Sequence, residues 1–302
     1  MLTKEFTVLS NYDGLQIKGV LFEPSSPKGI VQILHGMVEY KKRYEPFMRF
    51  LAEQGYIAAC HDHRGHGDSV NSAADYGWFG DLSGNAIVED AVQVTRYLKS
   101  NYPNLPITLF GHSMGSMVAR CYIQEHDGLI DKLILSGSPC KNPLAGMGIA
   151  LEKCVRLVRG GRHRSKLLAF LSTGSGNSKF KAEGDGAWLT RDRSLIAEFH
   201  GDCKCGFVFT CNGFENLFKL LKRSYTKKGY KVENPQLPIF ILSGDDDPVL
   251  GGEKKWKEVV AFSKALGYQK VSEKLYKGMR HEVLNEVGRE EAYQDVLAFI
   301  EG

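Results

Sequence analysis

The segment Gly111-His112-Ser113-Met114-Gly115 constrains the fold of this chain more than any other feature. It matches Gly-x-Ser-x-Gly, a pattern that by itself occurs often by chance. Here a short apolar run with the β-branched content of a buried strand precedes it (106–110), and a segment typical of a buried helix follows it (116–123). Strand, sharp turn and helix together form a nucleophile elbow, in which small flanking residues let a strained turn lift the serine hydroxyl above the sheet. We therefore predict that Ser113 is a nucleophile and not merely a helix cap.

Apolar runs and amphipathic segments alternate along most of the chain. After an opening hairpin, the alternation predicts a mostly parallel sheet with helices on both faces. The alternation stops near residue 140 and resumes near residue 235. The sequence thus predicts an α/β core domain formed by residues 1–139 and 235–302. Residues 140–234, called the cap segment below, are predicted to be a helical cap (lid) inserted into that core.

Length and charge exclude several classes of protein. A chain of 302 residues can bury a large core, and its formal charge of +4 is too small to indicate nucleic-acid binding. No apolar run approaches the roughly 20 residues that span a bilayer, and the first residues have no secretory pattern. We expect a cytoplasmic location, and the sequence leaves the oligomeric state open.

Two clusters contain residue types that commonly bind metals, but the spacing of neither cluster matches a known metal-binding motif. The seven cysteines include Cys203, Cys205 and Cys211, whose spacing is not Cys-x-x-Cys, and the odd total is typical of reduced thiols. The segment 61–68 contains three histidines, but a metallohydrolase motif would need aspartate where this chain has Gly65. We predict no metal. The alternative for this segment is a turn-rich loop in which Asp62 and Arg64 make structural hydrogen bonds.

Hydrolysis at a serine needs a base, an acid that orients the base, and donors for the oxyanion. In hydrolases with an elbow of this type, the order along the chain is serine, acid, histidine. Only one of the nine histidines, His281, lies beyond the predicted strand at 237–242. Asp245, Asp246 and Asp247 directly follow that strand, and only one of them can be the acid.

The oxyanion donors in such enzymes are backbone amides. One belongs to the residue after the nucleophile, here Met114, and the other to the loop after the third strand, where Met37 is suitably placed. This chemistry needs neither a metal nor an organic cofactor.

Five segments in order along the chain carry a resemblance to a known family: 35–44, 62–69, 111–115, 244–247 and 280–286. Together they resemble the monoacylglycerol lipase and lysophospholipase branch of the α/β-hydrolases, which is also grouped with serine aminopeptidase-type hydrolases. The resemblance implies the α/β-hydrolase fold. It covers nearly the whole predicted core and is specific only when the segments are taken together.

The resemblance also implies roles for individual residues. The acid stands fourth in a Gly-x-x-Asp motif, which selects Asp247, with Asp246 as the runner-up. The motif Arg-His-Glu-x-x-Asn-Glu selects His281, and the oxyanion donors again fall on Met37 and Met114. In relatives, the residues that correspond to Glu39 and Arg43 lie near the pocket for the alcohol part of the ester. The alternative for this pair is a salt bridge between a loop and the start of a helix.

These residues predict a serine carboxylic-ester hydrolase that works through an acyl-enzyme. The resemblance makes monoacylglycerol the first candidate substrate, followed by lysophospholipid or short acyl esters. A peptidase or acyltransferase is a less favoured enzymatic alternative. A non-catalytic ligand receptor on the same fold is least favoured, since a candidate for every triad position is present.

The cap segment combines apolar and basic residues. Leucine, valine and phenylalanine recur between residues 151 and 171, interspersed with Lys153, Arg156, Arg159, Arg162, Arg164 and Lys166. Such a basic amphipathic surface predicts peripheral contact with an anionic membrane or lipid aggregate. The alternative is a solvated helix packed on its own domain.

Overall fold

The computed structural model describes residues 1–174 and 176–302. Within them, eight strands form one sheet in the order β1-β2-β4-β3-β5-β6-β7-β8. The pairings of β1 with β2 and of β2 with β4 are antiparallel. All other neighbouring strands in the sheet are parallel. The strands are β1 (Leu2–Leu9), β2 (Gln16–Glu23), β3 (Gly29–Leu34), β4 (Tyr56–His61), β5 (Ile107–His112), β6 (Lys132–Ser136), β7 (Ile239–Gly244) and β8 (Val271–Tyr276).

The central strands are apolar along their whole length because helices cover both faces of the sheet. Every residue of β3, β4, β5 and β7 is buried, whereas most residues of the edge strand β1 are exposed. The predicted α/β fold class is confirmed. The carboxyl ends of the central strands meet at one edge of the sheet, where side chains from distant parts of the chain converge.

Two helical layers enclose the sheet. On one face α1 and α9 pack around Phe47 and Val296, and on the other α2, α3 and α8 pack around Ile87, Val118 and Trp256. The amphipathic run at 43–54 begins as a 3₁₀ turn, Lys41–Tyr44, which leads into α1. These helices are α1 (Glu45–Glu53), α2 (Ala86–Asn101), α3 (Met114–His126), α8 (Glu253–Ala265) and α9 (Arg289–Glu301).

In the described residues between β6 and β7, four further α-helices occur together with shorter 3₁₀ and π segments. They are α4 (Ala145–Arg159), α5 (Lys166–Ala169), α6 (Arg193–Gly201) and α7 (Cys211–Ser224). The α7 helix is largely buried and carries Phe214 and Leu220 into the same apolar core as α3. The division of the chain into a core domain and a cap at residues 140–234 stays a prediction.

Candidate active site

Ser113 lies in a strained turn between β5 and α3. Its backbone φ of 50° and ψ of −114° fall in a region that side-chain-bearing residues rarely adopt. Glycines permit the tight passage from strand to helix. A Cβ on Gly115 would stand 2.1 Å from the carbonyl oxygen of Leu34, and one on Gly111 would stand 2.5 Å from the carbonyl oxygen of Gly115. The predicted elbow context is therefore present around this serine.

The three residues predicted to act together converge from three loops. His281 Nε2 lies 2.8 Å from Ser113 Oγ, and His281 Nδ1 lies 2.9 Å from Asp247 Oδ2. The Asp247 carboxylate also accepts hydrogen bonds from the Ser243 hydroxyl at 2.9 Å and from the Val249 amide at 2.8 Å. Both His281 and Asp247 are buried, so these contacts are shielded from water.

The electrostatics of this group favour ionised Asp247. Burial alone would raise the pKa of Asp247, but the neighbouring His281 and three donated hydrogen bonds lower it below the usual value. Burial alone would lower the pKa of His281, and the charge and hydrogen bond of Asp247 outweigh that effect and raise it. The carboxylate therefore accepts a hydrogen bond from the Nδ1–H group, which leaves Nε2 to accept the proton of the serine hydroxyl.

The other two aspartates after β7 face elsewhere. Exposed Asp245 accepts the amide of Gly278 with its Oδ1 at 2.6 Å, and partly buried Asp246 pairs with Lys179 at 2.6 Å. Among the three, the described contacts link only Asp247 to the imidazole.

The two predicted oxyanion donors, Met37 and Met114, line one cavity with Ser113. Met114 is the first residue of α3, so its amide has no acceptor within the helix. Val38, next to Met37, has a φ of 53°, an uncommon conformation for a β-branched residue. Both loops that carry a candidate donor thus contain a strained residue beside it.

Glu39 and Arg43 form an ion pair, and the pair continues to Glu282, a residue to which the sequence assigned no role of its own. Arg43 Nη1 donates to Glu39 Oε2 at 2.6 Å, and the same guanidinium binds both carboxylate oxygens of Glu282 at 2.7 Å. Glu39 lines the cavity above Ser113. Arg43 instead lines a separate cleft of about 1000 Å³, called the outer cleft below.

The cavity above Ser113 has a volume of about 370 Å³ and a mostly apolar wall. The cap segment supplies much of that wall. Trp188 lies with its ring centroid 5.0 Å from that of His281, and its carbonyl oxygen accepts the His281 amide at 3.4 Å. The sequence patterns described above assign no role to Trp188. The apolar wall residues include Met117, Leu171, Trp188, Leu189, Phe207, Phe209, Phe214, Leu217, Phe218 and Leu221.

The histidines of segment 61–68 are packed in the core. His61, His63 and His66 are fully buried together with His35. Asp62 accepts hydrogen bonds from the amide and the side chain of Lys41, and Arg64 donates one to Asp90. Both residues thus make the structural hydrogen bonds that were the alternative to a metal site. In residues 1–174 and 176–302, no cluster of three or more histidine, cysteine or carboxylate side chains has the geometry of a metal site.

The described part of the chain also contains no helix that is both long and apolar enough to traverse a lipid bilayer.

A strained serine at the end of a central parallel strand, with an imidazole and a carboxylate from later loops, defines the class of protein. The fold is that of the α/β-hydrolases, and it matches the crystal structure of a highly thermostable carboxyl esterase from Bacillus coagulans in complex with glycerol. The two superpose with a TM-score of 0.87 at 28% identity, over 100% of this chain and 99% of the esterase.

Sequence comparison identifies the family within that class. A family model described as serine aminopeptidase, S33, matches residues 25–288, and the chain belongs to this family. A monoacylglycerol lipase of Mycolicibacterium smegmatis is 25% identical over 291 residues, which cover 95% of this chain and 93% of the relative. A phospholipase of Bacillus subtilis is 25% identical over 279 residues, which cover 90% of this chain and 95% of the relative.

Proposed function

We propose that this protein is a serine carboxylic-ester hydrolase that cleaves monoacylglycerol-type lipid esters. The observation that carries the proposal is the continuous hydrogen-bonded row from Ser113 through His281 to Asp247, with distances of 2.8 and 2.9 Å. In this row the base touches the nucleophile and the acid orients the base.

The reaction follows from the positions of these groups. Ser113 Oγ attacks the acyl carbonyl carbon while His281 Nε2 takes its proton, and the amides of Met37 and Met114 stabilise the oxyanion. Collapse of this intermediate expels the alcohol, which receives the proton from His281, and leaves an acyl-enzyme. Water then attacks the acyl carbon and gives a proton to His281, which returns it to Ser113 Oγ as the acyl bond breaks and the carboxylic acid leaves.

The substrate class rests on the cavity and on the relatives. The apolar wall above Ser113 suits an acyl chain, and Glu39 adds a polar group to the lining of the same cavity. Relatives along nearly the full length are a monoacylglycerol lipase and a phospholipase. The second of these names makes lysophospholipid the second candidate substrate.

A direct test combines active-site labelling with a substrate panel. A fluorophosphonate probe should label the native protein, and Ser113→Ala should abolish both labelling and hydrolysis, with a loss on the order of 10⁶ in kcat. The panel would contain 1- and 2-monoacylglycerols, lysophosphatidylcholine and p-nitrophenyl esters of several lengths. An unlabelled native protein that hydrolyses no ester would refute the proposal. A clear preference for lysophospholipid would instead select the second candidate.

We also propose that the cap segment touches an anionic lipid surface. Among the described residues, thirteen large hydrophobic side chains are exposed, and seven of them lie between residues 144 and 171. Leu157 and Val158 on α4 are more than four-fifths exposed, and Phe170 is two-thirds exposed. Leu171, next in sequence to Phe170, lines the cavity above Ser113, so one end of this exposed apolar segment adjoins the cavity.

Only some of the basic residues of the cap segment are available for lipid headgroups. Arg156 pairs with Glu152 and Arg162 pairs with Asp75, as expected for packing within the protein. Lys153, Arg159 and Lys166 are exposed and have no ion pair with another described residue. The alternatives of lipid contact and internal packing therefore apply to different residues of the same segment.

Vesicle sedimentation tests this surface. The protein should bind vesicles that contain phosphatidylglycerol at low salt, and Leu157→Ser combined with Val158→Ser should weaken binding at least several-fold. Leu9→Ser, at an exposed leucine on the edge strand, is the matched control and should bind like the native protein. Equal binding by all three proteins would refute lipid contact through this surface, and no binding by the native protein would refute lipid contact altogether.

A further inference from the structure

Two loops carry the reacting groups of the proposed hydrolase and come from opposite ends of the chain. The loop that follows β3 carries the candidate oxyanion donor Met37, and the loop that follows β8 carries the candidate base His281. The distance between these loops decides whether base and oxyanion donor can act on the same carbonyl. A single side chain, Arg43, is bonded to both.

Glu39 holds the first loop. Its Oε1 accepts the amide of Gly36 at 2.5 Å and the hydroxyl of Tyr44 at 2.8 Å. Gly36 immediately precedes Met37, and strained Val38 immediately follows it. A strained backbone persists only where its surroundings hold it in place, so the Glu39 carboxylate fixes the direction of the Met37 amide.

Glu282 holds the second loop. It is the residue after His281, its amide donates to the carbonyl oxygen of Leu189 at 2.8 Å, and its carboxylate accepts a hydrogen bond from Asn285 at 3.1 Å. Both Glu39 and Glu282 are at least 95% buried, so each carboxylate depends on the protein for its hydrogen bonds.

Arg43 joins the two carboxylates. Its Nη1 donates to both, at 2.6 Å to Glu39 and 2.7 Å to Glu282, and its Nη2 completes a two-bond contact with Glu282 at 2.7 Å. A guanidinium bound in this way fixes direction as well as distance, which an ammonium cannot do. The ring of Phe199 packs against the guanidinium, 4.9 Å from its carbon atom to the ring centroid.

We propose that Arg43 is a positioning residue, which ties the loop of the oxyanion donor to the loop of the base and so sets their separation in the transition state. This inference rests on the proposed hydrolase function. It assigns Arg43 a role other than contact with the alcohol part of the substrate. In keeping with it, Arg43 lines the outer cleft and its guanidinium is engaged by two carboxylates.

The test compares Arg43→Lys and Arg43→Met with the native protein on two substrates, a p-nitrophenyl ester and a monoacylglycerol with the same acyl chain. A small displacement of reacting groups lowers rate steeply, so kcat should fall by about 10- to 100-fold in Arg43→Met. KM should stay within about two-fold, and the loss should be the same for both alcohols. Arg43→Lys keeps the charge without the two-bond geometry and should lose nearly as much.

Arg49→Met is the matched control because Arg49 lines the same outer cleft and is bonded to neither loop. It should keep native kinetics. If Arg43→Met fails to fold, as judged by thermal unfolding, Arg43→Lys decides the question.

Three results would overturn the positioning role: an unchanged kcat, a rise in KM alone, or a loss confined to the monoacylglycerol, which would indicate contact with its alcohol. An inactive native protein would instead refute the proposed function, so the two failures are distinguishable.

Discussion

Acid should destabilise this protein through a cluster of four buried histidines. The cluster consists of His35, His61, His63 and His66, whose neighbouring ring centroids lie 4.4 to 6.5 Å apart. Burial lowers the pKa of His61 to about 3 and that of His66 to about 4. Burial likewise holds the pKa values of His35 and His63 well below their usual range. All four rings are therefore neutral in the folded protein at neutral pH.

The sign of the effect follows from proton binding by the two states. In the unfolded chain these rings titrate near pH ~6.5, so below that pH the unfolded state binds protons that the folded state excludes. The stability is complete above the unfolded-state pKa and is lost as the pH falls from there towards the folded-state values. His281 has the opposite sign because Asp247 raises its pKa. Its contribution is present below pH ~6.5 and lost as the pH rises through the folded-state value.

The magnitude is a large share of the stability of a typical domain. At about pH 5, some 1.5 units below the unfolded-state pKa, each neutral ring lowers the free energy of unfolding by about 2 kcal/mol. His61 and His66 together contribute about 4 kcal/mol on this basis, against a usual total of about 5–15 kcal/mol. His35 and His63 act in the same direction.

Urea unfolding at several pH values between about 7.5 and 5 measures this effect. His61→Phe removes a ring whose two nitrogens have no hydrogen-bond partner in the described residues. It should lower the dependence of the unfolding free energy on pH by about 1.4 kcal/mol per unit. Phe79→Leu, whose native ring lies 5.6 Å from that of His66, should lower stability equally at every pH. A native protein with no loss below pH ~6.5, or a His61→Phe variant with the native dependence, would refute the reasoning.

Three further predictions concern the site. Asp247→Asn should lower kcat by about 10⁴ while Asp246→Asn changes it less than about three-fold, and equal mild losses in steady-state assays would contradict the assignment. The pH profile of kcat/KM should rise through the pKa of His281, which Asp247 raises above its usual value, because only the neutral imidazole accepts a proton; a flat profile would argue against this base. Gly115→Ala should abolish activity or folding, since its Cβ would meet the backbone of β3. The control is Gly146→Ala on exposed α4, where a Cβ meets no other atom, and it should stabilise the protein by about 0.5–1 kcal/mol in thermal unfolding. A folded and active Gly115→Ala variant would refute the steric argument.

Much of the fold could be predicted from local patterns. Strands buried on both faces are continuous apolar runs, and β3 coincides with the near-continuous apolar run at residues 29–34. The start of α1, the helix that follows β3 in the chain, was less predictable. Its first turn is a 3₁₀ turn that ends at Tyr44, one residue before the α-helix begins. Helix ends depend on such local contacts more than on the apolar period.

The candidate site divides in the same way. Ser113 and His281 were predictable because one lies in a recognisable turn and the other is the only histidine in the last part of the chain. The choice among Asp245, Asp246 and Asp247 needed a family resemblance, since three adjacent carboxylates look alike in a sequence. The structure distinguishes them by direction, and the one that contacts the imidazole is the one that the resemblance selects.

The sequence by itself determined the order of the elements, the elbow and the class of chemistry, because periodicity, glycine spacing and residue type are local properties of the chain. Only the tertiary structure decided which distant groups meet. Glu282 binds Arg43, which is 239 positions away in the sequence. Four histidines are likewise buried beside one another in the core. Such contacts depend on how the strands are ordered in the sheet, and a local sequence pattern does not specify which distant segments become neighbours there.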